Sequence, residues 1–121
     1  MKTKNGDSLK KIFEEQKEFQ RLVLKMRGQE DKIPQDSVEW FTYHMLAIQE
    51  ELGEVIKADK RWKTHRNERY VKEEKLDEIA DVFITAINIA LYSGFDCEEI
   101  REAVLSKISE NVKRQNELIA G

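Results

Sequence analysis

The sequence predicts an all-α protein, a four-helix bundle-like core of antiparallel helices. Of its 121 residues, 37% are charged and 40% are hydrophobic, and only one proline and five glycines are present. Long amphipathic helices suit this composition, whereas a sandwich or barrel needs more turn residues. A chain of this length forms one domain with a single core, so we treat residues 1–121 as one unit.

Charge and cysteine content narrow the class of protein. The formal net charge of -3 argues against a general binder of nucleic-acid polymers. No apolar segment is long enough to cross a bilayer, and residues 1–8 lack the apolar stretch of a signal peptide. The single cysteine, Cys97, cannot form an internal disulfide. We therefore expect a soluble, cytoplasmic protein without a membrane partner.

The first helix is expected to begin at Asp7 or Ser8 and to run to about Arg27, before Gly28. Its side chains at helical spacing form an apolar stripe: Leu9, Ile12, Phe13, Phe19, Leu22, Val23 and Met26. The segment 29–36 contains the only proline and is predicted to be a loop.

The second helix is expected to be capped by Ser37 or Asp36 and to run to about Arg61. Its predicted core face has the same helical periodicity: Val38, Phe41, Met45, Leu46, Ile48, Leu52, Val55 and Ile56. The segment 62–69 is basic and polar, and we expect it to connect this helix to the next.

The third helix is predicted from about Tyr70 to Ser93, before Gly94. The fourth begins at Asp96, where Glu99 is placed for a capping box. It is expected to turn its apolar residues toward the core: Ile100, Val104, Ile108, Val112, Leu118 and Ile119. The short connection between these two helices predicts that they are antiparallel neighbours.

A narrow polar stripe on the third helix is the first sign of function. From Ile79 to Leu91 this helix is apolar on almost every side, which is typical of a buried helix. Four polar residues interrupt it at steps of three, four and three: Glu78, Asp81, Thr85 and Asn88. They fall within an arc of roughly 80°. A solvated edge is the alternative, but a solvated face is usually wider, so we favour a functional stripe.

The second helix carries a matching stripe, made of His44, Ala47, Glu51 and Glu54. The pair Glu51 and Glu54, like the pair Glu78 and Asp81, is spaced i, i+3 and shares one helix face. On facing helices the two pairs would gather carboxylates that repel each other and are costly to bury. Mg²⁺ and Mn²⁺ prefer such oxygen ligands, which favours a metal site. Taken alone, the acidic run of the second helix would be an ordinary charged face, and His44 is expected to be a partly buried structural histidine.

Two further segments offer groups that bind phosphates or a base. Trp62 and Lys63 lie in the basic stretch, whose alternative interpretation is a solvated loop. Trp62 is a candidate to stack on a base or to seal a pocket, although a core position is equally compatible with its sequence context. On the fourth helix, Lys107, Asn111 and Arg114 share one face at i, i+4 and i+7 and form a candidate phosphate clamp.

The ordered set of motifs resembles the signature of the all-α nucleoside triphosphate pyrophosphatases, the MazG-like proteins with their relatives the dimeric dUTPases and dCTP pyrophosphatases. The resemblance is carried by Glu50-Glu51-x-x-Glu54, by Glu78-x-x-Asp81 after a spacer of 23 residues, and by Lys107-x-x-x-Asn111-x-x-Arg114. It covers about residues 37–116. The basic spacer fits no single subfamily, so the preferred base and sugar stay open.

The resemblance implies an enzyme that cleaves a nucleoside triphosphate between the α and β phosphates, giving the monophosphate and pyrophosphate. It implies that four carboxylates bind Mg²⁺, with Mn²⁺ as a possible substitute: Glu51, Glu54, Glu78 and Asp81. It also implies a homodimer or homotetramer with the site near the subunit interface, and a role in clearing unwanted nucleotides.

The remaining roles follow from the same resemblance and chemistry. Lys107 and Arg114 are expected to bind the phosphates, with Asn111 hydrogen-bonding nearby. Asn88 is expected to face the sugar or base, and Glu50 is our candidate to orient or deprotonate the attacking water. The alternative hypothesis is a non-catalytic helical interaction module, in which the polar stripes are solvated faces or an interface for another chain.

Overall fold

The structure, a computed structural model, describes residues 8–29, 33–34, 36–62 and 69–121. These residues contain no strand and form four helices: α1 (Ser8–Met26), α2 (Val38–Asp59), α3 (Lys72–Tyr92) and α4 (Cys97–Ala120). The all-α prediction is therefore confirmed. Every predicted helix boundary agrees with the observed one to within about two residues.

The caps predicted from the sequence are present at the starts of α2 and α4, and the predicted glycine stop is present at the end of α1. The Ser37 hydroxyl accepts a hydrogen bond from the Trp40 backbone N–H at 3.2 Å. Asp96 and Glu99 form the predicted capping box, in which each carboxylate accepts from the other residue's backbone N–H, at 2.8 and 2.9 Å. Gly28 ends α1 with a φ of +74°, a conformation that glycine adopts without a steric penalty.

The core is small and lies where α1, the start of α2 and the end of α3 meet. Its buried apolar side chains are Phe13, Leu24, Ile33, Trp40, Ala90, Leu91 and Tyr92. The ring of Tyr92 stacks on those of Trp40 and His44, with centroid distances of 5.3 and 5.1 Å. The Tyr92 hydroxyl donates to Gln20 Oε1 at 2.8 Å, so this buried phenol keeps a hydrogen-bond partner.

Helices α2 and α3 pack closely on each other, but their polar faces meet and much of their apolar surface stays outside. On α3, Thr85 and Asn88 are buried whereas Phe83 is 68% exposed. The prediction that this helix is buried on all sides is therefore wrong within a single chain. Many residues assigned to the core of α1 and α2 are exposed as well: Ile12, Phe19, Leu22, Met26, Val38, Phe41, Met45, Leu46, Leu52 and Ile56.

Helix α4 departs most from the predicted bundle. The chain direction turns by 116° between α3 and α4, which falls short of the near reversal of an antiparallel pair, so that prediction is wrong. After Gly94 the Phe95 backbone N–H bonds back to the Ala90 carbonyl, and the cap at Asp96 then starts α4 in its new direction. Only the first turn, at Cys97 and Ile100, packs against the core.

The remainder of α4 is exposed, and its main contacts with another helix are with α1. The apolar residues that were expected to face the core lie at the surface: Val104, Ile108, Val112, Leu118 and Ile119. That expectation is wrong for the single chain.

Among the described residues, no single helix has both the length and the apolar character that crossing a membrane requires. By those two criteria alone, α3 and α4 together could do so as one sharply bent pair.

Candidate metal centre

A cluster of charged and aromatic side chains ties the end of α2 to the start of α3. Asp59 accepts hydrogen bonds from Lys75 Nζ at 2.6 Å and from Arg61 Nη2 at 2.7 Å. Both cations lie over the ring of Tyr70, 4.4 Å (Lys75) and 4.9 Å (Arg61) from its centroid. These hydrogen bonds hold the pKa of the Asp59 carboxyl well below its usual range. The cluster holds the two acidic segments beside each other.

Three of the four predicted metal ligands come together between α2 and α3. Glu51, Glu78 and Asp81 each offer a carboxylate oxygen, and these oxygens all lie within 4.8 Å of one another. Glu51 and Glu78 are partly buried, and Asp81 is exposed. The fourth residue, Glu54, is exposed and lies outside this group, with a carboxylate oxygen 3.9 Å from Lys57 Nζ.

The electrostatics of this acidic cluster (Glu51, Glu78 and Asp81) are unfavourable without a counter-charge. Burial raises the pKa of Glu51, and the carboxylates of Asp81, Glu78 and Glu50 raise it further. Burial likewise raises the pKa of Glu78, followed by repulsion from Asp81, while Lys57 lowers it. The carboxyls of Glu51 and Glu78 therefore ionise less readily than free carboxyls, and Lys57 offsets only part of the repulsion at Glu78.

The donor atoms of the acidic cluster suit a hard divalent cation. All three are carboxylate oxygens, the ligand type that Mg²⁺ and Mn²⁺ prefer, and no nitrogen or sulfur ligand belongs to the group within the described residues. His44 lies elsewhere, buried in the aromatic stack, where its Nε2 has no hydrogen-bond partner. Its predicted structural position agrees with this burial.

The C-terminal half of the α3 polar stripe, Thr85 and Asn88, has a different environment from that of the acidic cluster. Thr85 is buried and donates its hydroxyl to the Asp81 carbonyl at 2.9 Å. Asn88 is only 5% exposed, and its Oδ1 accepts from Gln16 Nε2 of α1 at 2.9 Å. Sequence reasoning missed Gln16 and Gln20. Their i, i+4 spacing, which breaks the apolar pattern of α1, was the available signal.

Two further predicted site residues, Glu50 and Trp62, lie on α2 and just after it. Glu50 is exposed and immediately precedes Glu51 in the sequence. Trp62 is 56% exposed, and its Nε1 donates to the Ile56 carbonyl at 2.8 Å, so the core alternative for this side chain is wrong. Lys63 lies outside the described residues.

The basic face of α4 is not brought to the acidic cluster within one chain. Lys107, Asn111 and Arg114 are all exposed, and Arg114 donates to the Asn111 side-chain oxygen on the same helix. Because α4 contacts mainly α1, the predicted phosphate clamp and the predicted metal ligands stand on separate parts of the molecule.

The described part of the chain is thus all-α, and its paired helices α2 and α3 share the acidic cluster. Compared with known proteins, the chain matches no family model, and no curated protein or solved structure is significantly similar to it.

Proposed function

We propose that the chain is a Mg²⁺-dependent nucleoside triphosphate pyrophosphohydrolase that clears unwanted nucleotides. The observation that supports the proposal is the approach of Glu51, Glu78 and Asp81 to within 4.8 Å, despite the mutual repulsion that raises the pKa of two of them. Such an arrangement is costly unless a cation offsets it. The resemblance supplies the reaction, and the acidic cluster supplies its physical basis.

In the proposed reaction, water adds to a phosphorus of the triphosphate bridge and the bond between the α and β phosphates breaks, so that the monophosphate and pyrophosphate leave. Glu51, Glu78 and Asp81 would hold the metal, and Glu54 is one helical turn from Glu51. A bound Mg²⁺ supplies charge neutralisation for the phosphates and a more acidic water. Glu50 would orient that water or take its proton.

Substrate binding is proposed for residues of α3, of α4 and of the segment that follows α2. Lys107 and Arg114 would bind phosphates, with Asn111 nearby, and Lys63 is a further candidate. Asn88 would face the sugar or base through the amide that Gln16 orients, and the exposed ring of Trp62 would stack on a base. Assembly into a homodimer or homotetramer belongs to the same proposal.

The decisive experiment is a panel assay. The purified chain with Mg²⁺ or Mn²⁺ is incubated with ribo- and deoxyribonucleoside triphosphates, dUTP and oxidised bases included, and the products are resolved as monophosphate and pyrophosphate. We expect both products from a few substrates. Absence of turnover on the whole panel with both metals would reject the enzyme.

A second candidate function, the non-catalytic interaction module, is favoured by a different observation. Each of the four helices exposes large apolar side chains, among them Phe19, Phe41, Phe83 and Ile108. Contiguous exposed apolar surface marks interaction sites. This candidate predicts that the acidic cluster has no metal-linked stability and that the panel assay gives no product.

A further inference from the structure

A cavity lies between α1 and the turn that joins α3 to α4, away from the acidic cluster. Its volume is about 270 Å³, and its described lining comes from one side of α1, from Ile33 and from the segment 91–97. Leu91 is ten residues beyond Asp81, which is about 15 Å along α3. No residue of the acidic cluster lines the cavity, so it is a separate candidate binding site.

The inner wall of the cavity is apolar and belongs to the core. Phe13, Ile33 and Leu91 line it, and all three are buried. Phe95 stands at the rim, 49% exposed, and its backbone N–H bonds to the Ala90 carbonyl at 3.0 Å. An apolar group that enters the cavity leaves water, and this favours binding roughly in proportion to the apolar area covered.

The charged residues around the cavity balance each other. Lys17 and Arg21 of α1 supply two positive charges, and Glu14 and Asp96 supply two negative charges. A multiply charged anion would meet both carboxylates, and a simple amine would meet both cations. A ligand that carries one charge of each sign can place each beside an opposite charge, which favours a zwitterion.

Glu14 and Lys17 are the charges of the cavity that a ligand can use. Neither side chain forms a hydrogen bond or an ion pair with another described residue, whereas Arg21 pairs with Glu18 and the Asp96 carboxylate caps α4. Residues at i and i+3 have Cβ atoms about 5–6 Å apart. One positive and one negative side chain at this spacing suit a ligand whose carboxylate and ammonium are attached to the same carbon.

The volume limits the apolar part of the ligand. A closed cavity of about 150 Å³ accepts benzene, whereas drug-sized ligands occupy about 300–1,000 Å³. At about 270 Å³, the cavity suits a ligand larger than benzene and smaller than a drug-sized molecule. A phenyl ring or a branched aliphatic chain that carries a small head group has this size.

We propose that the cavity binds a free α-amino acid with a large apolar side chain, such as phenylalanine or leucine. The side chain of the ligand packs on Phe13, Ile33 and Leu91, its carboxylate binds Lys17, and its ammonium group binds Glu14. This site is independent of the proposed function, because it shares no residue with the acidic cluster.

Cys97 gives a direct readout of occupancy, because it is the only cysteine of the chain, is partly buried and lines the cavity. The purified chain is alkylated with iodoacetamide at increasing concentrations of L-phenylalanine or L-leucine, and mass spectrometry gives the rate. At ten times the Kd about a tenth of the cavities are free, so alkylation should slow about tenfold. A rate unchanged by both amino acids up to their solubility limits overturns the proposal.

Two analogues test the pairing of charges. 3-Phenylpropionate keeps the ring and the carboxylate but lacks the ammonium group, and phenethylamine keeps the ring and the ammonium group but lacks the carboxylate. Each should need a concentration at least about tenfold higher than phenylalanine for the same slowing, because one charged hydrogen bond is lost. Equal protection by either analogue would show that the cavity does not recognise a zwitterion and overturns the proposal.

Matched variants then assign each charge. Lys17→Met should weaken protection by phenylalanine about tenfold and leave protection by phenethylamine unchanged, since that amine has no carboxylate. Glu14→Gln should weaken protection by phenylalanine similarly and leave protection by 3-phenylpropionate unchanged. Lys25→Met makes the same charge change on an exposed part of α1 outside the cavity and should alter none of these values.

Circular dichroism establishes that each variant keeps its helices. Wild-type protection by phenylalanine in both folded variants, or an equal loss of protection in Lys25→Met, would show that Lys17 and Glu14 do not hold the ligand, and either result overturns the proposal.

Discussion

The core where α1, α2 and α3 meet, here called the junction, and helix α4 share one sequence pattern but differ in solvent exposure. Both carry apolar residues at helical spacing, yet Tyr92 is fully buried whereas Val112 is 54% exposed. Within the junction, Gln20 and Gln16 hydrogen-bond to the Tyr92 hydroxyl and to the Asn88 side chain, whereas His44 Nε2 has no hydrogen-bond partner. Apolar periodicity therefore predicts that a helix has an apolar face, and it does not tell whether the same chain covers that face.

The largest expected contrast concerns stability. Tyr92→Ala should lower the free energy of unfolding by about 3–5 kcal/mol, since it removes a buried aromatic ring from the stack. Tyr92→Phe, the control, should cost only about 1 kcal/mol for the bond to Gln20. Val112→Ala should cost less than about 0.5 kcal/mol in dilute protein, because its side chain contacts little there. Urea unfolding at several protein concentrations measures all three.

A cost for Val112→Ala that grows with protein concentration would sharpen the comparison, because assembly stabilises by mass action. An equally large cost at every concentration would show instead that α4 is covered within its own chain.

The acidic cluster predicts the next effect. Asp81→Asn should reduce pyrophosphate release by about 100-fold or more, because the lost ligand charge weakens metal binding. Glu73→Gln, which changes an exposed carboxylate in the first turn of the same helix, is the matched control and should leave the rate unchanged. Equal rates for the two variants would remove Asp81 from the site.

Metal-linked stability follows from the same cluster. Mg²⁺ at a hundredfold excess over its Kd should stabilise the wild type by about 2.7 kcal/mol and raise its Tm by roughly 10 °C. Asp81→Asn should lose this increase, and without metal it should melt at the same or a higher temperature because a repulsive charge is gone. Calorimetry with and without EDTA gives both numbers, and a wild type indifferent to Mg²⁺ would favour the interaction module.

The smallest expected effect is a pH dependence at the junction. Burial lowers the pKa of His44 in the folded chain below its value in the unfolded chain, which is near 6.5. At a pH between these two pKa values, the unfolded chain binds more protons than the folded chain. Stability should therefore fall as pH falls through about 6.5. Glu51 and Glu78 act oppositely at lower pH, since their raised pKa values make the folded state gain stability as they protonate.

His44→Phe should flatten the loss near pH 6 without changing the behaviour at lower pH. Chemical unfolding between pH 7.5 and 5 measures it. An unchanged slope in His44→Phe would assign the acid sensitivity to other groups.

Much of the fold was predictable because its signals are local. Caps such as Ser37 and Asp96 and the stop at Gly28 act within one turn of chain, so the sequence indicated the helix ends closely. The approach of Glu51 to Glu78 and Asp81 was also predictable, because i, i+3 spacing on paired helices leaves few other arrangements.

Tertiary direction was not predictable from the same signals. The 116° turn before α4 depends on how a four-residue break closes α3 and starts the next helix, and no periodicity encodes that angle. The partnership of Gln16 with Asn88 joins positions 72 residues apart, which a single sequence does not reveal. The metal role of the cluster, and the reaction, stay predictions.

The break between α3 and α4 also has a mechanical consequence. Because α4 is about 36 Å long and packs against the core only at its first turn, a change of backbone angle in the break rotates the whole helix about that turn. A rotation of about 10° at residues 93–96 displaces the far end of α4 by about 6 Å, roughly the rise of one helical turn. Small backbone changes in this turn are therefore amplified into the position of the basic residues along α4.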